Sequence, residues 1–219
     1  MATRQVLAEL LAAYEQQTGQ RAVIDAVGGV DAAKRVQAGE AFDVVVLASD
    51  AIDKLIAAGT IDAASKTDWV RSGVAVAVRA GAALPDIGSE DAVRSAVLAA
   101  RSISYSTGPS GVALARLFER WGIADEVAGR MVQAPPGVPV GSLVARGDVE
   151  LGFQQLSELL NVEGITVVGP LPPAIQITTI FSSGVGTASK QPVAAKALLD
   201  FLASSAATEA KQRQGMDPA

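Results

Sequence analysis

Short apolar runs alternate with amphipathic stripes along most of this chain, and that alternation restricts it to layers of helix packed on sheet. The run Phe42-Asp-Val-Val-Val-Leu47 is almost continuously apolar, which suits a strand covered on both faces. Before it, Val6, Leu7, Leu10, Leu11 and Tyr14 recur at helical spacing over residues 3–14, and Thr18-Gly19 closes that stripe. Residues 22–27 read as a strand stopped by Gly28-Gly29. Asp31 then opens a short helix that Gly39 ends, and Ser49-Asp50 cap a helix over 51–58. Residues 74–78 predict another strand, and Ser89 starts a helix to residue 100. Beyond it, strands at 102–105, 131–132, 150–153 and 165–168 alternate with helices at 112–121, 140–145 and 156–160. Pro170, Pro172 and Pro173 mark a linker before a β-branched stretch at 175–181. A last amphipathic helix covers 193–203, with Pro192 in the first-turn position. The expectation is an α/β fold.

Composition removes whole classes of chemistry. With 219 residues, 49% of them apolar and only 4% aromatic, the core must be built from Ala, Val, Leu and Ile. The net charge of −5 and the lack of any Lys/Arg run argue against a nucleic-acid groove or an anionic membrane surface as partner. There is no Cys, so thiol catalysis, zinc–thiolate sites and disulfides are excluded. There is also no His, which removes the commonest base near neutral pH, every Ser-His-Asp triad and the usual transition-metal ligand. Neither a metal nor a cofactor is expected. No apolar run approaches the ~20 residues that a membrane span needs, and no basic region followed by an apolar core marks a signal peptide in this chain.

Function points to Arg101-Ser-Ile-Ser-Tyr-Ser-Thr-Gly-Pro-Ser-Gly-Val112, a short strand breaking into a hydroxyl-rich turn that opens a helix. Pro109 ends the strand, Gly111 lets the backbone come close, and Leu114, Leu117 and Phe118 begin a helical stripe. Amides in the first turn lack intrahelical partners and sit at the positive end of the helix dipole. Ser104, Ser106, Thr107 and Ser110 would thus surround a seat for a carboxylate or small oxyanion. The plain alternative is that a Ser or Thr here is only an N-cap.

Five segments in order carry a resemblance: residues 37–50, Ser72-Gly-Val-Ala-Val-Ala-Val-Arg-Ala-Gly81, the turn at 105–111, Leu143-Val-Ala-Arg-Gly-Asp-Val-Glu-Leu-Gly152, and residues 211–218. Together they resemble the periplasmic molybdate-type solute-binding proteins, of the type II periplasmic-binding-protein fold. The resemblance implies two α/β lobes, 1–76 with 177–219 and 77–176, joined by crossings near 74–79 and 173–178, with ligand in a cleft between them. It also implies a periplasmic location and an ABC-transporter permease as partner. The family's first strand and its ligand serine have no counterpart in this sequence, which begins in the helix that follows; either the true start lies upstream, or the sheet keeps a central gap open to a second copy. Other family contacts fall on Gly28-Gly29, on Pro109-Ser110-Gly111, on the backbone at Gly137-Val138, and on Gln155 in the place of a tyrosine. Gln155 offers a donor and an acceptor, which suits a carboxylate as well as a tetrahedral anion. Ligand sites in open α/β sheets lie at strand carboxyl ends, which adds Ser49, Ser106 and Thr107.

The expectation is therefore a solute-binding protein that captures a small anion, an oxyanion or an organic carboxylate, and performs no chemistry on it. A cytosolic sensor or scavenger of the same fold is one alternative. An isomerase or lyase using Asp43 or Asp50 as its base is another. Plain readings stand beside the functional ones: Gly28-Gly29 as a turn, Ser49-Asp50 as a helix cap, Gln154 and Gln155 as a solvated helix start, Arg71 and Arg101 as surface charges, and Tyr105 as packing at the core edge.

Overall fold

Alternation within Val74-Ala-Val-Ala-Val78 sends the valines to one face of a strand and the alanines to the other, and the layers of half the protein follow from it. The computed structural model describes residues 1–219. In chain order it contains α1 (Arg4–Thr18), α2 (Gly29–Gln37), β1 (Val44–Ala48), α3 (Ser49–Ala57), β2 (Thr67–Arg79), α4 (Glu90–Ala99), β3 (Ile103–Tyr105) and α5 (Pro109–Arg120). There follow α6 (Ala124–Val127), β4 (Met131–Gln133), α7 (Val140–Arg146), β5 (Leu151–Gln155), α8 (Leu156–Leu159) and β6 (Ile165–Pro170). The chain ends with β7 (Thr178–Val185), α9 (Pro192–Ala203), α10 (Thr208–Arg213) and β8 (Asp217–Pro218). Two compact units result. Unit 1 is Met1–Ser72 with Thr179–Ala219, and unit 2 is Gly73–Thr178.

In unit 1, β1 runs antiparallel to β7, the first half of β2 lies on the other side of β7, and β8 adds to β2 through Val70 and Arg71. One face is covered by Val6, Leu10 and Tyr14 of α1 and by Leu198, Leu199 and Leu202 of α9. The other is covered by Val36 of α2 and by Ile52 and Leu55 of α3, packed on Val45 and Leu47. The strand expected at 22–27 does not form. That segment makes no backbone hydrogen bond and leaves Val23 85% exposed, because β1 pairs only with β7 and an extended chain needs a neighbour to satisfy its amides.

In unit 2 the sheet order is β6-β2-β5-β3-β4. β3 is parallel to both neighbours, with Tyr105 opposite Gln133 on one side and Phe153 on the other. Val74, Val76 and Val78 pack with Phe153 against Leu114, Leu117 and Phe118 of α5 and Val93 and Val97 of α4. Burying each large side chain there stabilises the unit by roughly 1.5–3 kcal/mol. Ala75 and Ala77 point the other way, onto Leu159 of α8. On that same face a Cβ at Gly152 would stand 2.6 Å from Val144 and 2.9 Å from Val140, so the absent side chain lets α7 ride directly on β5.

Candidate anion-binding edge

Because β3, β4 and β5 are parallel, the segments leaving their carboxyl ends emerge at one edge of the unit 2 sheet. The segment after β3 is the Ser106–Ser110 turn into α5; the segment after β4 runs through Pro135-Pro136-Gly137 into α7; the segment after β5 is α8. The helix α5 begins earlier than the sequence pattern indicated. Pro109 occupies its first turn instead of ending the strand, and Gly108 is the N-cap. A glycine cap has no side chain to spend on the first amides, so the plain N-cap reading of the hydroxyls does not apply here.

Donors collect at this turn. Gly111 and Val112 donate back to the Gly108 carbonyl at 3.0 and 3.2 Å, and Pro109 has no N–H. The amides of Thr107, Gly108 and Ser110 donate to no group of the protein. The Ser106 and Ser110 hydroxyls lie 3.3 Å apart, with Ser110 buried. Gly111 permits the whole arrangement: a Cβ on it would fall 1.9 Å from the Ser106 carbonyl oxygen. Ser104, expected beside this seat, is instead sealed inside β3, fully buried and with its hydroxyl unpartnered. Tyr105 is half-buried and packs on the core, as its plain reading has it.

At the neighbouring strands the picture differs from expectation in two places. The Val138 amide donates to the Pro135 carbonyl at 3.0 Å, closing a turn in which Gly137 takes φ +78°. Gln154 and Gln155 do not begin a solvated helix. They are the last two residues of β5, both 3% exposed, opposite Ala75 and Val74 of β2. Gln155 shares the face of Phe153, on which α5 packs, while Gln154 turns to the α7 face and accepts from the Gly141 amide at 3.4 Å. Gln154 also hydrogen-bonds Glu158 of α8, a half-buried carboxyl whose proton affinity is pushed up by burial. Glu158 escaped the sequence reading; its signal was two glutamines closing an apolar strand with a glutamate three residues on.

The remaining expected residues belong to unit 1. Gly28 is the half-buried N-cap of α2 and Gly29 its exposed first residue. Ser49 opens α3 at the carboxyl end of β1, but Ala48 is the N-cap and no side chain caps that helix. Of the two bases considered, Asp43 lies at the amino end of β1, held by the Ser189 hydroxyl at 2.6 Å. Asp50 is exposed and 3.5 Å from Lys54. Arg71 pairs with Asp217 and Arg101 with Glu150 on the surface. Three or more acidic side chains nowhere converge as a metal site would require. No helix is long and apolar enough to cross a membrane.

The family model for bacterial extracellular solute-binding proteins matches residues 1–217. The chain belongs to that family. Among solved structures, this solute-binding protein superposes on the Azotobacter vinelandii periplasmic molybdate-binding protein with a TM-score of 0.80 at 20% identity, covering 98% of this chain and 95% of that one. It superposes on the sulfate-binding protein of Mycobacterium tuberculosis with a TM-score of 0.75 at 18% identity, over 100% and 83% of the two chains. At those identities the likeness concerns the fold, which is the type II periplasmic-binding-protein fold. A curated relative, aconitate isomerase from Pseudomonas sp, is 40% identical over 216 residues, 96% of this chain and 82% of the relative. That relative overturns the expectation that the chain is not an enzyme. A solute-binding scaffold does not exclude catalysis, and the missing His and Cys remove particular bases and nucleophiles without removing proton transfer.

Proposed function

We propose that this member of the solute-binding family isomerises a small polycarboxylate of the aconitate type, holding it at the anion-binding edge of unit 2. The observation that carries the reading is the 40% identity to aconitate isomerase across 96% of the chain. The geometry supports it. A carboxylate only accepts hydrogen bonds, and the Ser106–Ser110 turn supplies three unengaged amides and two hydroxyls with no acidic side chain among them. At the same edge of unit 2, Gln155 remains a further proposed contact for a second carboxylate.

Aconitate isomers differ in geometry about a carbon–carbon double bond, which does not rotate at ambient temperature. An allylic proton shift gets round that barrier. A base takes a proton from the methylene carbon, and the electron pair spreads over three carbons and into an adjoining carboxylate. A proton is then returned to the far carbon, leaving the double bond displaced with the other geometry. The sum is neutral in protons and electrons. It asks the protein for a proton carrier and for donors that meet the oxyanion as its charge grows.

A second reading, capture of the same anion for a membrane transporter in the periplasm, is favoured by the family description of an extracellular solute-binding protein. The test is direct. The purified chain is mixed separately with cis- and trans-aconitate and followed by proton NMR. Interconversion to one common ratio from both sides supports the isomerase. A thermal shift with either isomer but no interconversion supports capture and overturns the isomerase.

A further inference from the structure

A proton shift between carbons needs a group that takes a proton and gives one back, and with no His or Cys in the chain a carboxylate is the first place to look. Among the carboxylates of unit 2, Glu90, Asp148 and Glu150 are paired with Arg120, Arg146 and Arg101. Every other one except Glu158 is exposed. Glu158 stands apart: it is half-buried and is fixed by a hydrogen bond from Gln154. Gln154 is itself held by the Gly141 amide of α7, so the carboxyl is mounted on two helices and a central strand.

Its place is as telling as its environment. α8 follows directly on Gln155, and the strand that delivers it lies beside β3 with Phe153 opposite Tyr105. Adjacent strands are about 4.8 Å apart. The segment bearing Glu158 and the turn bearing Ser106 and Ser110 therefore leave the same edge of the sheet side by side. We infer that Glu158 is the carboxylate that carries the proton in the isomerisation, an assignment that rests on the function proposed above. In the forward step its carboxylate removes a methylene proton as the C–H bond breaks and the electron pair moves toward the carboxylate seated at the α5 turn. In the return step the new acid O–H breaks and the proton goes to the far carbon. Burial that disfavours the charged form makes such a carboxylate a stronger base than an exposed one.

The test compares the wild-type chain with Glu158→Gln and Glu158→Asp by aconitate interconversion and by the melting-temperature shift that each isomer produces. Glu158→Gln is expected to lower kcat by at least 100-fold, within the range for losing an acid–base group, while keeping the ligand-induced shift. Glu158→Asp is expected to recover at least tenfold over the glutamine variant. A Glu158→Gln enzyme within threefold of wild-type kcat overturns the assignment, as does a loss confined to KM or one that Glu158→Asp shares in full. A wild-type chain that interconverts nothing overturns the isomerase reading and this assignment together, whereas an active wild type with an active Glu158→Gln overturns the assignment alone.

Discussion

Lys211 shows how a single residue can set the sign of a stability effect. Its side chain is 1% exposed, forms no ion pair, and lies over the Trp69 ring with its ammonium 5.6 Å from the centroid. A desolvated cation over an indole gains roughly 2 kcal/mol, while burial holds the Lys211 amine below its ordinary value of 10.5, so the ring contact and the cost of removing the charge from water oppose each other. The folded value being lower than the unfolded one, the native state carries the full cost wherever both states are charged. That cost fades as pH climbs from the lowered value toward 10.5, because there the unfolded chain binds more protons. Lys211→Met keeps the stem and drops the charge. Urea unfolding is expected to find the variant more stable by about 1 kcal/mol at pH 7, with the gap narrowing by pH 10. A variant less stable than wild type at pH 7 would show that the contact with Trp69 outweighs burial.

At the scale of elements, the β3–turn–α5 unit depends on one missing methyl. In an ordinary helix Gly→Ala adds about 0.4–1 kcal/mol, but at Gly111 the new Cβ meets the Ser106 carbonyl at 1.9 Å, and a backbone atom cannot swing aside. Overpacking should win: Gly111→Ala is expected to cost about 1–3 kcal/mol in denaturant unfolding and to abolish the thermal shift with aconitate. An alanine variant as stable as wild type that still binds would show that the turn is not the seat. The elements that were legible in the sequence are those whose pattern is local. The run at 42–47 and the V-A-V-A-V alternation announced β1 and β2, and the hydroxyl-rich turn was visible as a helix entrance. Features decided by neighbours were not legible. Residues 22–27 have strand composition but no strand to pair with, and Gln154-Gln155 look like a solvated helix start until β2 pairs alongside them. The Val138 amide looks free in sequence, yet Pro135 and the positive φ of Gly137 fold it into a turn.

For the whole molecule, the order of motifs along the chain disclosed the fold, whereas the chemistry lay outside what a fold can disclose. Proton transfer at carbon needs a placed carboxylate and oxyanion donors, and neither leaves a motif as recognisable as a histidine triad. Charge gives the last prediction. A chain of net charge −5 repels a trianion at long range, so any affinity must come from short-range donors such as those of the α5 turn. Salt screens interactions beyond a Debye length, about 8 Å at physiological ionic strength, and acts far less on hydrogen bonds in contact. A ligand at a hundred times its Kd adds about 2.7 kcal/mol, and a chain of this size gains roughly 2–4 °C per kcal/mol, so trans-aconitate at that excess should raise Tm by about 5–10 °C. That rise should persist at 0.5 M NaCl, because screening weakens the long-range repulsion while leaving the contacts in place. Differential scanning fluorimetry across a salt series reads it. A rise that vanishes with salt would mean that the trianion sits on exposed lysines and arginines, and the anion-binding edge would lose its role.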